Sequence, residues 1–178
     1  LNLGNLSSVD TDTYSDVLKK DSNGNFFILT EAGEHIAITE SWGGSAQFDY
    51  SSQWEGGSWS SKAVAVEDVT YTNISGESVD GYVIAIKNSG TYGSEQFTDW
   101  ELRYTDDKGV IDWDNSIWTQ SIKSKESLFG TNAEQADLDG DGAFGLDSSA
   151  LDSVSTDTTG DLLKKDDANA LYLSLIHI

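Results

Sequence analysis

Residues 100–113 have the sequence WELRYTDDKGVIDW, and this stretch decides the fold class. Apolar and polar residues alternate from Trp100 to Thr105, which is the period of a strand buried on one face. Residues 106–109 carry turn-forming side chains, so the chain is expected to return at residues 110–113 as an antiparallel partner strand. The stretch therefore predicts a β-hairpin.

The same type of pattern recurs elsewhere in the chain. Residues 17–20 and 26–30 flank a turn-forming segment and predict a second hairpin. Residues 82–87 are apolar on both faces, which is typical of a central strand. Further strands are expected at residues 35–39 and 62–67, with loops around the two Gly-Gly pairs. We therefore predict a mainly β domain with antiparallel, sandwich-like sheets.

One segment, residues 124–137, has the apolar spacing of a helix. Gly130 lies inside it and costs about 1 kcal/mol relative to alanine. We expect one short helix that leads directly into the Asp-rich sequence DLDGDG at residues 137–142.

This Asp-rich stretch has the ligand spacing of an EF-hand loop. Asp137, Asp139 and Asp141 occupy positions 1, 3 and 5, where carboxylate oxygens converge on a hard cation. Gly142 permits the sharp turn at position 6, and the carbonyl of Ala143 is the expected ligand at position 7. The spacing predicts a bound Ca²⁺.

The predicted loop departs from the EF-hand pattern at its end. Position 12, which is normally a bidentate Glu, is Ser148, and Asp147 lies one residue earlier. Completion by Asp147, by Ser148 or by water remains open, so we expect an affinity of about 10⁻⁴ to 10⁻³ M. The alternative is a solvated acidic turn without metal. A second acidic group, Asp10, Asp12 and Asp16, is interpreted as turn and strand-edge residues, with a metal site as the less favoured alternative.

The chain contains an internal repeat. Residues 6–27 recur at 151–172 without a gap, and eleven of the 22 aligned positions are identical. We predict that residues 1–147 form one repeat unit ending in the calcium loop and that residues 148–172 begin the next unit. Residues 173–178 are similar to a translated DNA-library adapter, and we expect them to be a tail outside the fold; the alternative is an apolar last strand at residues 171–178.

Composition restricts the partners. Ten Lys and Arg residues stand against 31 Asp and Glu residues, and the net charge of −21 repels nucleic acid and anionic membranes. No run of about 20 apolar residues is present, so no membrane insertion is expected. The absence of Cys excludes disulfides and zinc thiolate sites. Calcium and neighbouring repeat units are the expected partners.

The six tryptophans suggest two roles. Trp59, Trp100 and Trp118 are expected in the core, because the chain lacks Met and Cys and needs large rings to fill it. Trp42 and Trp54 stand beside Gly-rich and Ser-rich loops and are the candidates for an exposed glycan-binding surface.

Enzyme signatures are weak, and no catalytic residue is predicted. His35 lies on an alternating strand and is interpreted as an edge-strand residue, and the chain has no Gly-x-Ser-x-Gly nucleophile motif. Paired carboxylates of the glycosidase type, Glu67 or Glu101 opposite Asp112 or Asp114, are the remaining hydrolase alternative. Acidic residues are so abundant that this pattern carries little information.

The order of motifs resembles the tryptophan-rich C-terminal domain described from cyanobacterial proteins. The resemblance covers residues 17–145 and rests on Trp59, the Gly81-Tyr82 pair, Trp100 and the helix that leads into the Asp-rich loop. Asp139, where Asn is usual, departs from the pattern. The resemblance implies a tandem unit of a large, secreted, calcium-associated bacterial protein.

Together these patterns predict a calcium-binding structural or adhesive repeat module of a secreted or cell-surface bacterial protein. The alternative is a carbohydrate-binding module that uses Trp42 and Trp54. A hydrolase domain is the weaker alternative.

Overall fold

The computed structural model describes residues 5–10, 16–146, 151–156, 162–166 and 171–174. These residues form three antiparallel sheets with little helix, so the predicted mainly β class is confirmed. No helix in this part of the chain has the length and apolar character needed to cross a membrane.

Each sheet has its strands in sequence order. The first contains β1 (Ser7–Ser8), β2 (Val17–Lys20), β3 (Phe26–Leu29) and β4 (His35–Ala37). The second, a curled half-barrel, contains β5 (Tyr50–Trp54), β6 (Gly57–Thr72), β7 (Ser78–Tyr92), β8 (Glu95–Asp106) and β9 (Ile111–Thr119). The third contains β10 (Asp152–Thr156), β11 (Leu162–Lys165) and β12 (Leu171–Ser174).

Both predicted hairpins are confirmed, and in each turn an aspartate carboxylate accepts hydrogen bonds from backbone N–H groups. In the β8–β9 turn, Oδ1 of Asp106 accepts hydrogen bonds from the backbone N–H groups of Lys108 and Val110, at 3.0 and 2.8 Å. In the β2–β3 turn, Oδ1 of Asp21 accepts from the N–H groups two and four residues later, at 2.8 and 2.9 Å. An aspartate at this position favours such turns because its carboxylate satisfies backbone donors locally.

Strand β7 is central in the five-stranded sheet, as its two-sided apolar pattern predicts. Ile84 and Ile86 face one hydrophobic core, and Val83 and Ala85 face the other. The four side chains are almost fully buried. Burial on both faces requires a covering layer on each side of the sheet.

The four-stranded sheet and the segment after β9 provide these two layers. Leu18, Phe26 and Ile28 of the four-stranded sheet pack in the core that contains Ile84 and Ile86. Ile122 and Phe129, from the segment after β9, pack with Val83 and Ala85 on the opposite face. The architecture is therefore a sandwich of two sheets with a third, irregular layer outside the larger sheet.

The expectation of one helix at residues 124–137 is wrong. The structure has a 3₁₀ helix at Lys123–Leu128 and a separate single turn, α1, at Ala133–Ala136. Asn132 begins the second helix in an extended conformation, and its side chain accepts hydrogen bonds from the N–H groups of Glu134 and Gln135. An Asn cap favours the start of a new helix at this point.

The strand pairing of the first sheet recurs in the third sheet. Ser7 pairs with Lys20 in one and Asp152 pairs with Lys165 in the other, 145 positions later in both strands. The β2–β3 and β11–β12 registers correspond in the same way. β12 includes the first two residues of the predicted tail, and residues 175–178 lie outside the described part. The division into repeat units stays a prediction.

Gly109 joins the two sheets of the sandwich. The N–H of Thr39, after β4, donates to the carbonyl of Gly109 at 2.9 Å, and the N–H of Ile111 donates to the carbonyl of Thr39 at 2.9 Å. Gly109 has a φ of 79°, and a Cβ placed there would lie 2.5 Å from the carbonyl oxygen of Ala37. Both the turn and the joint therefore require glycine.

Replacing Gly109 by Ala should destabilise the protein more than Gly76→Ala does. Gly76 lies in the β6–β7 turn with a φ of 81°, but a Cβ there meets no atom within 4 Å among the described residues. Both variants strain the backbone, and Gly109→Ala also creates a clash, so its unfolding free energy should be lower by about a further 1 to 3 kcal/mol. Equal losses in urea denaturation would contradict this role of Gly109.

Candidate functional site

The side chain of Asp137 organises the Asp-rich loop. Its Oδ1 accepts hydrogen bonds from the N–H groups of Gly140 and Asp141, at 2.8 and 3.1 Å, and its Oδ2 accepts from the N–H of Gly142 at 2.8 Å. Gly140 and Gly142 have φ angles of 83° and 82°, in the left-handed region that favours glycine. The loop is therefore wrapped around the first of its predicted ligands.

Asp139 and Asp141 continue the same pattern. Oδ1 of Asp139 accepts from the N–H of Asp141 at 3.1 Å, and Oδ1 of Asp141 accepts from the N–H of Ala143 at 2.7 Å. Nζ of Lys123 lies 2.7 Å from Oδ2 of Asp141, and its hydrogen bond lowers the pKa of that carboxyl. Burial raises the pKa of Asp139.

Glu126 is a further carboxylate at this site that the sequence analysis missed. It lies in the 3₁₀ helix and is 1% exposed. Its Oε1 accepts from the N–H of Leu138 at 3.0 Å, and its Oε2 accepts from the N–H of Gly145 at 2.8 Å. Burial raises the pKa of Glu126, and the nearby charge of Asp139 raises it further. One side chain thus holds both ends of the loop.

Glu126, Asp137 and Asp139 converge on one point. One carboxylate oxygen from each lies within 4.8 Å of the other two. The donors are all carboxylate oxygens, which suit hard cations such as Ca²⁺ and Mg²⁺ better than metals that prefer nitrogen or sulfur. These three residues could hold a hard cation, and calcium as the ion stays a prediction.

The remaining predicted ligands are placed only in part. Ala143 is exposed within the loop, and its N–H contacts Asp141. The roles of its carbonyl and of Asp141 as ligands stay predictions. Asp147 and Ser148 lie outside the described residues.

The second acidic group is arranged differently from the sequence interpretation. Oδ2 of Asp10 accepts from the N–H of Leu18 at 2.5 Å, which fits a strand-edge role, and Asp12 lies outside the described residues. Asp16 is buried and instead meets Glu67 and Asp68, with carboxylate oxygens within 4.8 Å of one another. Burial raises the pKa of Asp16, and Asp68 raises it further.

The tryptophans divide between core and surface, and of the three expected in the core only Trp100 belongs to a hydrophobic core cluster. Trp100 is 2% exposed in the core, as expected, and Trp59 is half-buried. Trp118 is 60% exposed, so its assignment to the core is wrong. It lies on β9, the edge strand, where neither covering layer reaches it. Trp42 and Trp54 are exposed at turns, and their glycan-binding role stays a prediction.

The carboxylates of the hydrolase alternative lie on three strands of the five-stranded sheet, β6, β8 and β9. Glu67 lies on β6 and Asp112 on β9, with two strands between them. Glu101 forms an ion pair with Arg103, and Asp112 accepts hydrogen bonds from Oη of Tyr71 at 3.2 Å and Nδ2 of Asn115 at 2.7 Å. These contacts support local structure, and the hydrolase alternative stays a prediction.

Comparison with known proteins adds no relative. No protein-family model matches the chain, and neither the curated proteins nor the solved structures contain a match. The resemblance to the tryptophan-rich C-terminal domain therefore stays a prediction based on motif order.

Glu126→Gln should destabilise the protein even without calcium. A glutamine side chain has one acceptor oxygen, so the N–H of Leu138 or of Gly145 would lose its partner. An unsatisfied buried donor costs about 1 to 3 kcal/mol. Glu55→Gln, in the exposed turn between β5 and β6, removes the same charge and should change the unfolding free energy by less than about 0.5 kcal/mol. Urea denaturation in chelator compares the two variants; equal effects would show that Glu126 does not hold the loop.

Proposed function

We propose that this chain is a calcium-binding structural module, with Glu126, Asp137 and Asp139 as the central ligands. The observation that carries the proposal is the convergence of these three carboxylates from two separate segments. Glu126 comes from the 3₁₀ helix, and the two aspartates come from the Asp-rich loop. A ligand set that depends on tertiary structure couples metal binding to folding.

Electrostatics support a bound cation. Like-charged carboxylates this close disfavour each other's ionised form, and burial adds to that cost. The pKa values of Glu126 and Asp139 are both raised, mainly by burial. A divalent cation would remove the repulsion, because opposite charges at short range favour the ionised carboxylate.

Calcium suits these donors better than magnesium. Ca²⁺ accepts six to eight oxygen ligands in flexible geometry, whereas Mg²⁺ demands a near-ideal octahedron and retains several waters. Asp141 and the carbonyl of Ala143 are the additional ligands that the loop would supply. Three or four carboxylates without a regular final Glu favour the weak affinity of extracellular calcium modules, about 10⁻⁴ to 10⁻³ M.

The position of the loop supports a structural role. Leu138 is buried in the core under the five-stranded sheet, and the loop precedes the sheet whose pairing repeats that of β1–β3. Calcium there would stiffen the connection between successive units of a tandem array. A secreted or cell-surface bacterial protein, in which such modules serve structural or adhesive purposes, is the setting that this role and the motif resemblance imply.

A calcium titration by calorimetry tests the proposal. Wild-type chain should bind one Ca²⁺, and Glu126→Gln and Asp139→Ala should each weaken binding by at least about tenfold, because each removes a negatively charged ligand. Asp107→Asn removes the same charge from the exposed β8–β9 turn and should leave the affinity unchanged. Calcium should raise the melting temperature of the wild type, since a ligand that binds only the folded state stabilises it.

Two results would contradict the calcium site. The first is an absence of both binding heat and thermal shift in the wild type. The second is equal weakening by Asp107→Asn and Asp139→Ala, which would show that the loss of affinity comes from the change in net charge alone.

Lys123→Gln should strengthen calcium binding. The ammonium of Lys123 competes with the ion for Oδ2 of Asp141, and an ion pair of this partly exposed type is worth up to about 1 kcal/mol, or roughly fivefold in affinity. Lys125→Gln, on the same 3₁₀ helix, is the matched control for net charge. Identical affinities in the two variants would show that Asp141 is not a ligand.

A further inference from the structure

A cavity of about 270 Å³ lies beside the core on the five-stranded sheet. Its lining includes the aromatic rings of Tyr50, Trp59, Trp113 and Trp118, and we call it the aromatic pocket. Tyr50 pairs with Ser61 across β5 and β6, and Trp118 pairs with Glu101 across β8 and β9. Cross-strand partners share a face of the sheet. The rings therefore lie on one face of the five-stranded sheet, at the edge of the four-stranded sheet that covers it.

A β-bulge brings Trp113 to this pocket. The β8–β9 register shifts between Leu102 and Tyr104, so residues 113–116 protrude from the ladder. The carboxylate of Asp112 stabilises this protruding segment. It accepts hydrogen bonds from the backbone N–H of Asp114 at 3.2 Å and from Nδ2 of Asn115 at 2.7 Å. Bulges often re-aim a side chain beside a functional site, and this one lies at the rim of a cavity.

The charged groups of the pocket are already paired with its own residues. The guanidinium of Arg103 lies 3.7 Å from the ring centroid of Trp113 and forms an ion pair with Glu101. Nε1 of Trp113 donates to Oε2 of Glu40 at 2.8 Å. These contacts fix the ring and the guanidinium before any ligand arrives, which lowers the entropic cost of binding.

Asn88 lines the pocket and carries an acceptor that no described residue uses. Its side chain is 1% exposed, and its Nδ2 donates to Oδ1 of Asp99 at 3.0 Å. Its Oδ1 accepts no hydrogen bond from any residue in the described ranges. A buried acceptor without a partner is costly and rare, and a bound molecule with a hydroxyl or amide donor would satisfy it.

The chemistry of the lining restricts the ligand. Arg103 already occupies the face of Trp113 on which a cation would stack, and Glu40 and Glu101 disfavour an anion. Flat aromatic faces attract apolar ring surfaces, while the amides of Gln47 and Asn88 exchange hydrogen bonds with hydroxyl groups. We propose that the aromatic pocket binds a neutral saccharide ring, with its C–H face on a tryptophan and a hydroxyl donating to Oδ1 of Asn88. This binding does not depend on the calcium site.

The test uses the full chain and the methyl glycosides of glucose, galactose, mannose and N-acetylglucosamine, with choline and glucuronate as charged probes. Saturation-transfer NMR and calorimetry should detect binding of at least one neutral glycoside. Trp118→Ala removes an exposed ring without opening the core, and should weaken that binding roughly tenfold, about 1.4 kcal/mol. Gln47→Ala should weaken it less, since Gln47 is exposed at the rim.

Trp42→Ala is the matched control. Trp42 is 74% exposed in the turn after β4 and does not line the aromatic pocket. Its loss should leave glycoside binding unchanged. Four results would overturn the proposal: no binding of any neutral glycoside, equal binding by wild type and Trp118→Ala, preferential binding of choline or glucuronate, or loss of binding on changing Trp42 or Trp54.

Discussion

The burial of the central strands on both faces is the constraint on which the rest of the structure depends. Ile84 and Ile86 face one core, and Val83 and Ala85 face the other. A strand of this kind needs a covering layer on each side. The four-stranded sheet covers one face, and the segment after β9 covers the other without forming a long helix.

Both candidate sites lie where these covering layers end. Leu138 is anchored in the core, and the chain leaves that core as the Asp-rich loop, with Glu126 bridging the N–H groups of Leu138 and Gly145. On the opposite face, the four-stranded sheet stops short of Trp118 and leaves the aromatic pocket beside Phe48 and Ile86. Hydrophobic burial is thus concentrated between the layers of the sandwich, and the polar residues of both candidate sites lie at the edges of those layers.

Local pattern predicts local structure in this chain, and tertiary structure decides the rest. The hairpins around Asp21 and Asp106 follow from alternation and turn residues a few positions apart. Glu126 was missed because its partners lie 12 and 19 residues away, and only the folded chain brings them together. The exposure of Trp118 depends likewise on which strand forms the edge, which alternation does not reveal. The start of the second helix could be predicted from the sequence, because Asn132 is a good N-cap residue.

A crystal structure of the chain grown with calcium would show whether Glu126, Asp137 and Asp139 bind the ion together. The account predicts one ion with oxygen atoms of Glu126, Asp137 and Asp139 at about 2.3 to 2.6 Å. It also predicts that Nζ of Lys123 withdraws from Asp141 as the ion takes its place. A loop that keeps the Lys123–Asp141 pair and holds no ion at saturating calcium would contradict the account.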